Sequence, residues 1–172
     1  MTEHSIDFII LNDEINLSHL DFKDEYGYDS EILQWFIKKH VHNHHKANLG
    51  LIYIICYNGK NIGYVTLATS SIEKKSTEVH APATPHLPSI IIAYFAIDRN
   101  YRGIGIGTKV LFWVFGLARK IGEDVGCRFI TLYAKNAINF YEDNGYNKTE
   151  VSTEDGFVLM YKDLFPDRES GN

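Results

Sequence analysis

The sequence predicts a single α/β domain over residues 1–172, with a mixed β-sheet flanked by helices. Its 172 residues are close to the length of one domain, and 45% of them are hydrophobic, which is enough to form a core. In the second half of the chain, apolar runs of strand length alternate with segments that have helical character. A pair of antiparallel strands is predicted before them. This order of elements is typical of a sheet with helices packed against it.

Three strands are predicted in the first half of the chain. Residues 5–11 (SIDFIIL) place Ile6, Phe8 and Ile10 on one face of an extended segment. Two further apolar runs flank an Asn-Gly turn signal and predict the antiparallel pair. These runs are LIYIICY (51–57) and IGYVTLA (62–68).

A helix is predicted between the first strand and this pair. The side-chain oxygen of Asp29 or Ser30 can accept a hydrogen bond from a free amide of the first helical turn. Apolar residues then recur at helical spacing and form one face of the helix. They are Ile32, Leu33, Phe36, Ile37 and Val41.

The second half of the chain begins with a predicted loop. Residues 69–88 are polar and carry three of the four prolines, and a loop of this length inside a domain is usually functional or mobile. The apolar run at 89–98 then suits a central strand that is covered on both faces. The remaining predicted elements are a helix (109–122), a strand (127–134), a short helix (136–145) and a last strand (156–164).

The composition excludes several classes of protein. The chain has 17 lysines and arginines against 22 aspartates and glutamates, and this net charge of −5 argues against a general nucleic-acid binder. It has neither an apolar run of membrane-spanning length nor a signal-peptide pattern, so we expect no membrane partner. Cys56 and Cys127 lie in apolar stretches and are too few for a disulfide framework. Their number and surroundings predict buried thiols in a cytoplasmic protein.

A glycine-rich loop between an apolar strand and a helix is the most informative feature. It reads Arg102-Gly103-Ile104-Gly105-Ile106-Gly107-Thr108. The free amides and the dipole at a helix start form an anion site, and glycines let a phosphate approach those amides closely. Arg102 can add a charge-assisted hydrogen bond. The loop predicts a cofactor that carries a pyrophosphate, and a plain strand-to-helix turn is the alternative.

Two common phosphate motifs do not match this loop. The nucleoside-triphosphate loop needs Gly-Lys-Ser/Thr, whereas here Lys109 follows Thr108. The dinucleotide fingerprint needs Gly-x-Gly-x-x-Gly, and counting from Gly103 or Gly105 places Thr108 or Val110 at its last position. The predicted anion site therefore belongs to neither of these classes.

Three segments, in order, resemble the GNAT N-acetyltransferases. Arg102-x-x-Gly105-x-Gly107 matches the Arg/Gln-x-x-Gly-x-Gly/Ala signature of that family, and Tyr94–Asp98 resembles its preceding strand. Residues 136–146 (NAINFYEDNGY) are similar to the family's Asn-x-x-Ala-x-x-Phe-Tyr-x-x-x-Gly-Phe segment. Asn139 stands in place of the alanine, and Tyr146 stands in place of the last phenylalanine. The resemblance implies a GNAT-like domain with acetyl-CoA as its cosubstrate.

The resemblance also implies an activity and a set of site residues. The activity is transfer of an acetyl group from acetyl-CoA to a primary amine, directly within a ternary complex. Tyr141 would be the catalytic acid that protonates the departing thiolate, and packing in the core is the alternative for this ring. The implied cofactor-binding residues are Phe95, Ala96, Ile97, Arg102, Gly103, Gly105, Gly107, Thr108, Asn136 and Phe140.

Each part of this set has an implied role. The backbone of Phe95, Ala96 and Ile97 would pair with the pantetheine arm and the acetyl carbonyl, and one amide there could serve as an oxyanion donor. The residues from Arg102 to Thr108 would hold the pyrophosphate. Asn136 and Phe140 would contact the cofactor by a hydrogen bond and by packing.

The acceptor amine is not fixed by these motifs. A small amine, a polyamine, a peptide N-terminus and an aminoacyl-tRNA are the candidate substrates, and the acidic net charge favours a small or cationic amine. A weaker likeness, from Phe22 through Trp35-Phe36 to Leu87-Pro88, is to the aminoacyl-tRNA-acetylating toxins, which are encoded with ribbon-helix-helix antitoxins. It keeps tRNA and an antitoxin as candidate partners. A catalytically silent acyl-CoA-binding module is a further alternative.

Three other features carry weaker predictions. Ile90–Phe95 contains no acid, so candidate general bases come only from the neighbouring loop, where solvated residues are the simpler interpretation. No metal site is predicted, because the histidines near residue 40 have no His-Glu-x-x-His arrangement and no further ligand. The aromatic cluster at 112–115 predicts a core or a subunit interface rather than a cofactor stack, and a homodimer is a candidate assembly. The candidate general bases are Glu78, His80 and His86. The histidines are His40, His42, His44 and His45, and the aromatic cluster consists of Phe112, Trp113 and Phe115.

Overall fold

A seven-stranded sheet runs through the described part of the chain, residues 5–23, 31–79 and 84–168 of a computed structural model. Its strands are β1 (Ile6–Ile10), β2 (Leu51–Tyr57), β3 (Lys60–Glu73), β4 (His86–Ile97), β5 (Phe129–Ala134), β6 (Asn147–Ser152) and β7 (Val158–Asp163). Hydrogen-bonded neighbours follow the order β1-β2-β3-β4-β5-β7-β6. The pair β4–β5 is parallel, whereas β1–β2, β2–β3, β5–β7 and β6–β7 are antiparallel. The predicted α/β fold with a mixed sheet is confirmed.

The described helices are four α-helices and three short turns of other types. The α-helices are α1 (Glu31–Trp35), α2 (Val41–Lys46), α3 (Ile106–Val125) and α4 (Ile138–Asp143). A π-helical turn, Phe36–His40, lies between α1 and α2, and 3₁₀ turns lie at Lys74–Ser76 and Arg99–Tyr101. None of the helices within the described ranges is long and apolar enough to cross a membrane.

The chain divides into two compact units. One contains residues 1–68 and 93–110, and the other contains residues 69–92 and 111–172. The assignment of the whole chain to a single domain stays a prediction.

The first unit has a core formed by the helical segment and the strands β2 and β3. Phe36 stacks on Tyr94 with ring centroids 4.0 Å apart, and Phe36, Ile37 and Val41 are buried as predicted. Ile32 is 52% exposed, so its place on the predicted apolar face is wrong. Ile32 lies at the margin of the stripe that Leu33, Phe36 and Ile37 form, where a helical side chain stays in contact with solvent. The predicted caps Asp29 and Ser30 lie outside the described residues.

The sequence misplaces two boundaries in the sheet. The predicted loop at 69–88 is wrong at both ends, since β3 continues to Glu73 and β4 begins at His86. The end of β3 is polar because Ser70 and Ser71 are exposed. Pro88 lies inside β4, where its carbonyl oxygen accepts a hydrogen bond from the Arg128 amide at 3.2 Å.

One edge strand and one long helix also differ from the prediction. β1 is an edge strand in which Ile6, Phe8 and Ile10 lie on one face as predicted, with Ile10 50% exposed. β6 is the other edge strand, and the sequence missed it because almost all of its residues are exposed and show no apolar alternation. α3 has 20 residues, whereas about 14 were predicted.

The second unit has its own buried cluster. It consists of Ile72, Leu87, Phe129, Leu159 and Tyr161. The rings of Phe129 and Tyr161 meet edge to face at 5.7 Å. On α3, Phe112 is 80% exposed, so the core interpretation is wrong for this side chain, while a subunit interface there stays a prediction.

Both cysteines are buried free thiols, as the sequence predicts. Burial raises the pKa of the Cys56 thiol and of the Cys127 thiol above their ordinary value. Cys56 also lies 3.0 Å from the side-chain oxygen of Asn61.

Candidate active site

Two glycines of the loop have a backbone conformation that favours glycine. Gly103 and Gly105 have backbone φ angles of +75° and +81°, which residues that carry a Cβ rarely adopt. A Cβ built on either glycine would meet no atom within 4 Å, so the loop has open space beside its backbone. α3 begins at Ile106, and the amide of Lys109 is bonded to Gly105 at 3.3 Å. The amides before Lys109, including those of Gly107 and Thr108, belong to the first turn, where a helix offers no carbonyl partner.

The side chain of Arg102 hydrogen-bonds to the backbone on both sides of this loop's entry and holds it in place. Its Nε donates a hydrogen bond to the Ile97 carbonyl at 2.8 Å, and its Nη1 donates to the Lys23 carbonyl at 2.8 Å. The guanidinium therefore ties the end of β4 to the segment that precedes α1. This structural role adds to the phosphate contact expected for Arg102, which stays a prediction.

Asp98 is a buried carboxylate that the sequence reasoning did not single out. It is 4% exposed and accepts hydrogen bonds at 2.9 Å from the amides of Asp21 and Asn100 and from the Asn100 side chain. These bonds fix the 3₁₀ turn that leads into the glycine loop. An Asp-x-Asn sequence directly after a strand is a turn signal that could have identified it.

The end of β4 approaches β3 closely at a second residue that was missed. A Cβ at Gly63 would collide with the carbonyl oxygen of Ala96, so only glycine fits there. Two residues after Ala96, the Asp98 amide donates a hydrogen bond to the Ile62 carbonyl at 2.7 Å. Ala96 is buried, and its neighbours Phe95 and Ile97 are partly buried. The first unit thus holds together the predicted residues Phe95, Ala96, Ile97, Arg102, Gly103, Gly105, Gly107 and Thr108.

The second unit holds Asn136, Phe140 and Tyr141. Asn136 is exposed between β5 and α4, and α4 begins at Ile138, two residues later than predicted. The rings of Phe140 and Tyr141 lie 5.1 Å apart at 64°. The helix ends before Gly145, whose φ of +81° confirms the predicted left-handed exit.

Burial raises the pKa of Tyr141 to about 12. The phenol is therefore fully protonated near neutral pH, which is the form that a proton donor needs. The same shift makes the group a weaker acid, so its proton transfer requires stabilisation of the phenolate.

The raised pKa of Tyr141 predicts a loss of stability at alkaline pH. The unfolded chain releases this proton near pH 10, whereas the folded chain keeps it until about pH 12, so stability falls as pH rises through this window. The shift of about 2 units corresponds to at most about 3 kcal/mol. We expect urea unfolding to show a steeper fall for the wild type than for Tyr141→Phe between pH 10 and 12. Equal slopes would contradict the burial of this phenol.

The remaining candidates are the general bases proposed in the loop and the histidines near residue 40. Glu78 and His86 are exposed, and His80 lies outside the described residues, so no general base is assigned. His42 lies 3.8 Å from a carboxylate oxygen of Asp13, and the ring of His44 packs against Phe36. Within residues 5–23, 31–79 and 84–168, no three His, Cys, Asp or Glu side chains form a group that could hold a metal ion.

Residues 48–148, more than half of the chain, match the family described as the acetyltransferase (GNAT) domain. This match covers β2 to β5, the glycine loop and the α4 segment. The chain therefore belongs to the GNAT family of acetyltransferases, enzymes that use acetyl-CoA as cosubstrate. The resemblance recognised from the three motifs is confirmed.

Among characterised relatives, the chain is similar to the tRNA-acetylating toxin of Mycobacterium tuberculosis, with 24% identity over 129 residues. The matched region covers 73% of this chain and 76% of that toxin. Among solved structures, it is similar to a Tyr→Phe variant of the toxin AtaT bound to the C-terminus of the antitoxin AtaR and acetyl-CoA. The TM-score is 0.73 at 22% identity, over 93% of this chain and 94% of that one.

A second AtaT structure, complexed with acetyl-methionyl-tRNAfMet, also has a TM-score of 0.73 at 22% identity. It covers 90% of this chain and 94% of that chain. Likeness at this level of identity establishes the fold.

Proposed function

We propose that this acetyltransferase transfers the acetyl group to the α-amino group of an aminoacyl-tRNA. The observation that carries the proposal is the similarity over three quarters of the chain to a toxin described as tRNA-acetylating. The AtaT structure complexed with acetyl-methionyl-tRNAfMet supports it, because the fold extends over 90% of this chain. The α-amino group is a primary amine, so the proposal falls within the acceptor class that the motifs imply.

The proposed roles of the site residues follow from the geometry of each unit. Acetyl-CoA supplies the acetyl group as a thioester. The first-turn amides of α3 and the open backbone of Gly103 and Gly105 fit a pyrophosphate, with Arg102 as the brace of the loop. The extended backbone of Phe95–Ile97 fits strand-like pairing with the pantetheine arm.

In the second unit, we assign Tyr141 the transfer of a proton to the leaving thiolate. Asn136 and Phe140 are assigned contacts with the cofactor. Tyr141 is fully protonated at neutral pH, which supports this role. No general base for the amine nucleophile is assigned among the described residues.

The net charge of −5 argued against a polyanionic substrate, but the charge is unevenly distributed. Residues 38–46 (KKHVHNHHK) contain three lysines and four histidines with no acid. Lys38 and Lys39 are exposed in the π turn that follows Trp35 in the chain, and the exposed Trp35 ring lies 3.8 Å from that of His40. Exposed cations beside an exposed aromatic ring are typical of surfaces that bind RNA.

The direct test compares acceptors under one set of conditions. Labelled acetyl-CoA is incubated with the wild-type chain and aminoacylated tRNA, deacylated tRNA, spermidine or a short peptide. We expect incorporation into aminoacylated tRNA and none into deacylated tRNA. Preferential labelling of spermidine or peptide would refute the proposed acceptor, and tight acetyl-CoA binding without any transfer would favour the silent binding module.

The basic segment gives a separate prediction. Reversing two charges, Lys38→Glu with Lys39→Glu, should raise KM for aminoacyl-tRNA and reduce its dependence on salt by about one unit of slope for each lost phosphate contact. The matched control is Lys60→Glu with Lys148→Glu, two exposed lysines outside the segment, which produces the same net charge. Equal effects in both double variants would mean that total charge, and not this segment, determines tRNA use.

A further inference from the structure

Tyr146 carries a buried hydroxyl that has no hydrogen-bond partner in the described structure. The residue is 3% exposed, and its Oη is buried and unpaired. An unpaired hydroxyl in a core destabilises the fold, and phenylalanine would keep the ring without this penalty. Phenylalanine is also the residue of the GNAT segment that this part of the chain resembles. The hydroxyl of Tyr146 therefore needs an explanation other than stability.

The end of α4 fixes Tyr146 against Tyr141. The Tyr146 amide donates to the Tyr141 carbonyl at 3.0 Å, and the Gly145 amide donates to the Glu142 carbonyl at 2.9 Å. Together with the positive φ of Gly145, these bonds form a Schellman motif, which brings the residue after the glycine back onto the helix. The rings of Tyr141 and Tyr146 meet edge to face with centroids 5.8 Å apart.

Lys162 on β7 also lies close to the ring of Tyr146. Its Nζ donates to the Asn144 carbonyl at 2.8 Å, at the end of α4. The same Nζ lies 4.6 Å from the ring centroid of Phe115 and 5.8 Å from that of Tyr146. Burial lowers the pKa of Lys162. Among the described residues, Tyr141 on α4 and Lys162 on β7 are the titratable groups whose contacts with the Tyr146 ring the structure records.

The chemistry proposed for Tyr141 requires help from a neighbour. Burial raises the pKa of Tyr141 to about 12, whereas a thiol has an ordinary pKa of about 8.5, so the proton transfer is uphill by about 3 to 4 units. A hydrogen bond to the phenolate would favour the charged form. Burial and the negative charge of an ionised Tyr141 both raise the pKa of the Tyr146 hydroxyl, so this hydroxyl is protonated and can donate a hydrogen bond.

We propose that Tyr146 is a positioning residue for this proton transfer, whose buried hydroxyl donates a hydrogen bond to the Tyr141 oxygen as that oxygen becomes negative. The inference rests on the proposed function of Tyr141. In this step the Tyr141 O–H bond breaks and an S–H bond forms on the leaving thiolate. Tyr146 keeps its own O–H bond throughout, and the Tyr141 phenolate takes a proton from solvent after the products leave.

The test is Tyr146→Phe, which removes only the hydroxyl. We expect kcat to fall about 10-fold or more, the value for one hydrogen bond to a charged group, with KM for acetyl-CoA within about twofold. We also expect Tm to rise by about 2 °C or more, because an unpaired buried hydroxyl is removed. A residue with a merely structural role would not combine a lower kcat with a higher Tm.

Tyr161→Phe is the matched control. Tyr161 is also a buried phenol of the second unit, and its hydroxyl is engaged by the backbone of Glu78. This variant should lower Tm and leave kcat unchanged. As a rescue, 3-fluorotyrosine at position 141 is a stronger acid than tyrosine and should restore part of the kcat lost in Tyr146→Phe.

The outcomes separate this inference from the function on which it rests. An active wild type with unchanged kcat in Tyr146→Phe, or with a lower Tm in that variant, overturns the role of Tyr146 alone. Failure of the more acidic tyrosine to restore any kcat also overturns it. A wild type that transfers acetyl to no amine overturns the proposed function and this inference together.

Discussion

Replacing Tyr141 by phenylalanine is expected to lower kcat for acetyl transfer by about 10²–10⁴-fold. The phenylalanine ring keeps the contacts with Phe140 and Tyr146, so only the proton donor is lost. The affinity for acetyl-CoA should change little, because proton donation matters mainly in the transition state. A discontinuous assay of labelled acetyl transfer gives kcat, and calorimetry gives the dissociation constant of acetyl-CoA.

The control for this variant is again Tyr161→Phe, which removes a buried hydroxyl that the mechanism does not use. If Tyr141→Phe lost acetyl-CoA binding together with its rate, Tyr141 would be a binding or structural residue. If it kept full kcat, the thiolate would leave without assistance from the phenol, and the catalytic assignment would be wrong.

Replacing Gly105 by valine is expected to abolish detectable binding of acetyl-CoA. Gly105 has φ of +81°, and a Cβ added to it would meet no atom within 4 Å, so it faces open space. A branched side chain would occupy that space and keep a phosphate away from the first-turn amides of α3. The left-handed conformation adds about 1–2 kcal/mol of strain. Calorimetric titration with acetyl-CoA measures the loss.

Gly126→Val separates this steric effect from the strain. Gly126 follows α3, has φ of +75° and likewise has open space beside it, so the substitution carries similar strain away from the loop. We expect it to lower Tm about as much as Gly105→Val while leaving acetyl-CoA affinity intact. A folded Gly105→Val protein with wild-type affinity would show that the loop is only a turn.

The buried strands and the glycine loop could be predicted because their signals are local. An apolar run such as β4 and a glycine motif before a helix depend on the residues themselves, and the structure confirms both. β6 could not be predicted, because an exposed edge strand has no apolar face. The π turn was not predicted either, because the spacing of the apolar residues does not reveal one extra residue in a single helical turn.

The residues that support the candidate site were harder to predict than those that form it. Gly63 matters because the Ala96 carbonyl of another strand lies against it, and nothing in its own neighbourhood of the sequence shows this contact. Asp98 matters because of the amides that donate hydrogen bonds to it, and Tyr146 matters because its hydroxyl has no partner. Both facts depend on how the folded chain packs. Tyr146 did depart from the GNAT segment in the sequence, but the departure acquired a meaning only once its hydroxyl was found buried and unpaired.

The burial of Cys56 and Cys127 has a practical consequence for measuring turnover. A thiolate, and not a thiol, attacks a disulfide reagent, and burial both shields these two sulfurs and raises their pKa. Coenzyme A released by acetyl transfer carries an exposed thiol of ordinary reactivity. A coloured disulfide reagent should therefore report product continuously in the presence of the native protein, and a background that appears only on unfolding would mark loss of the fold during the reaction.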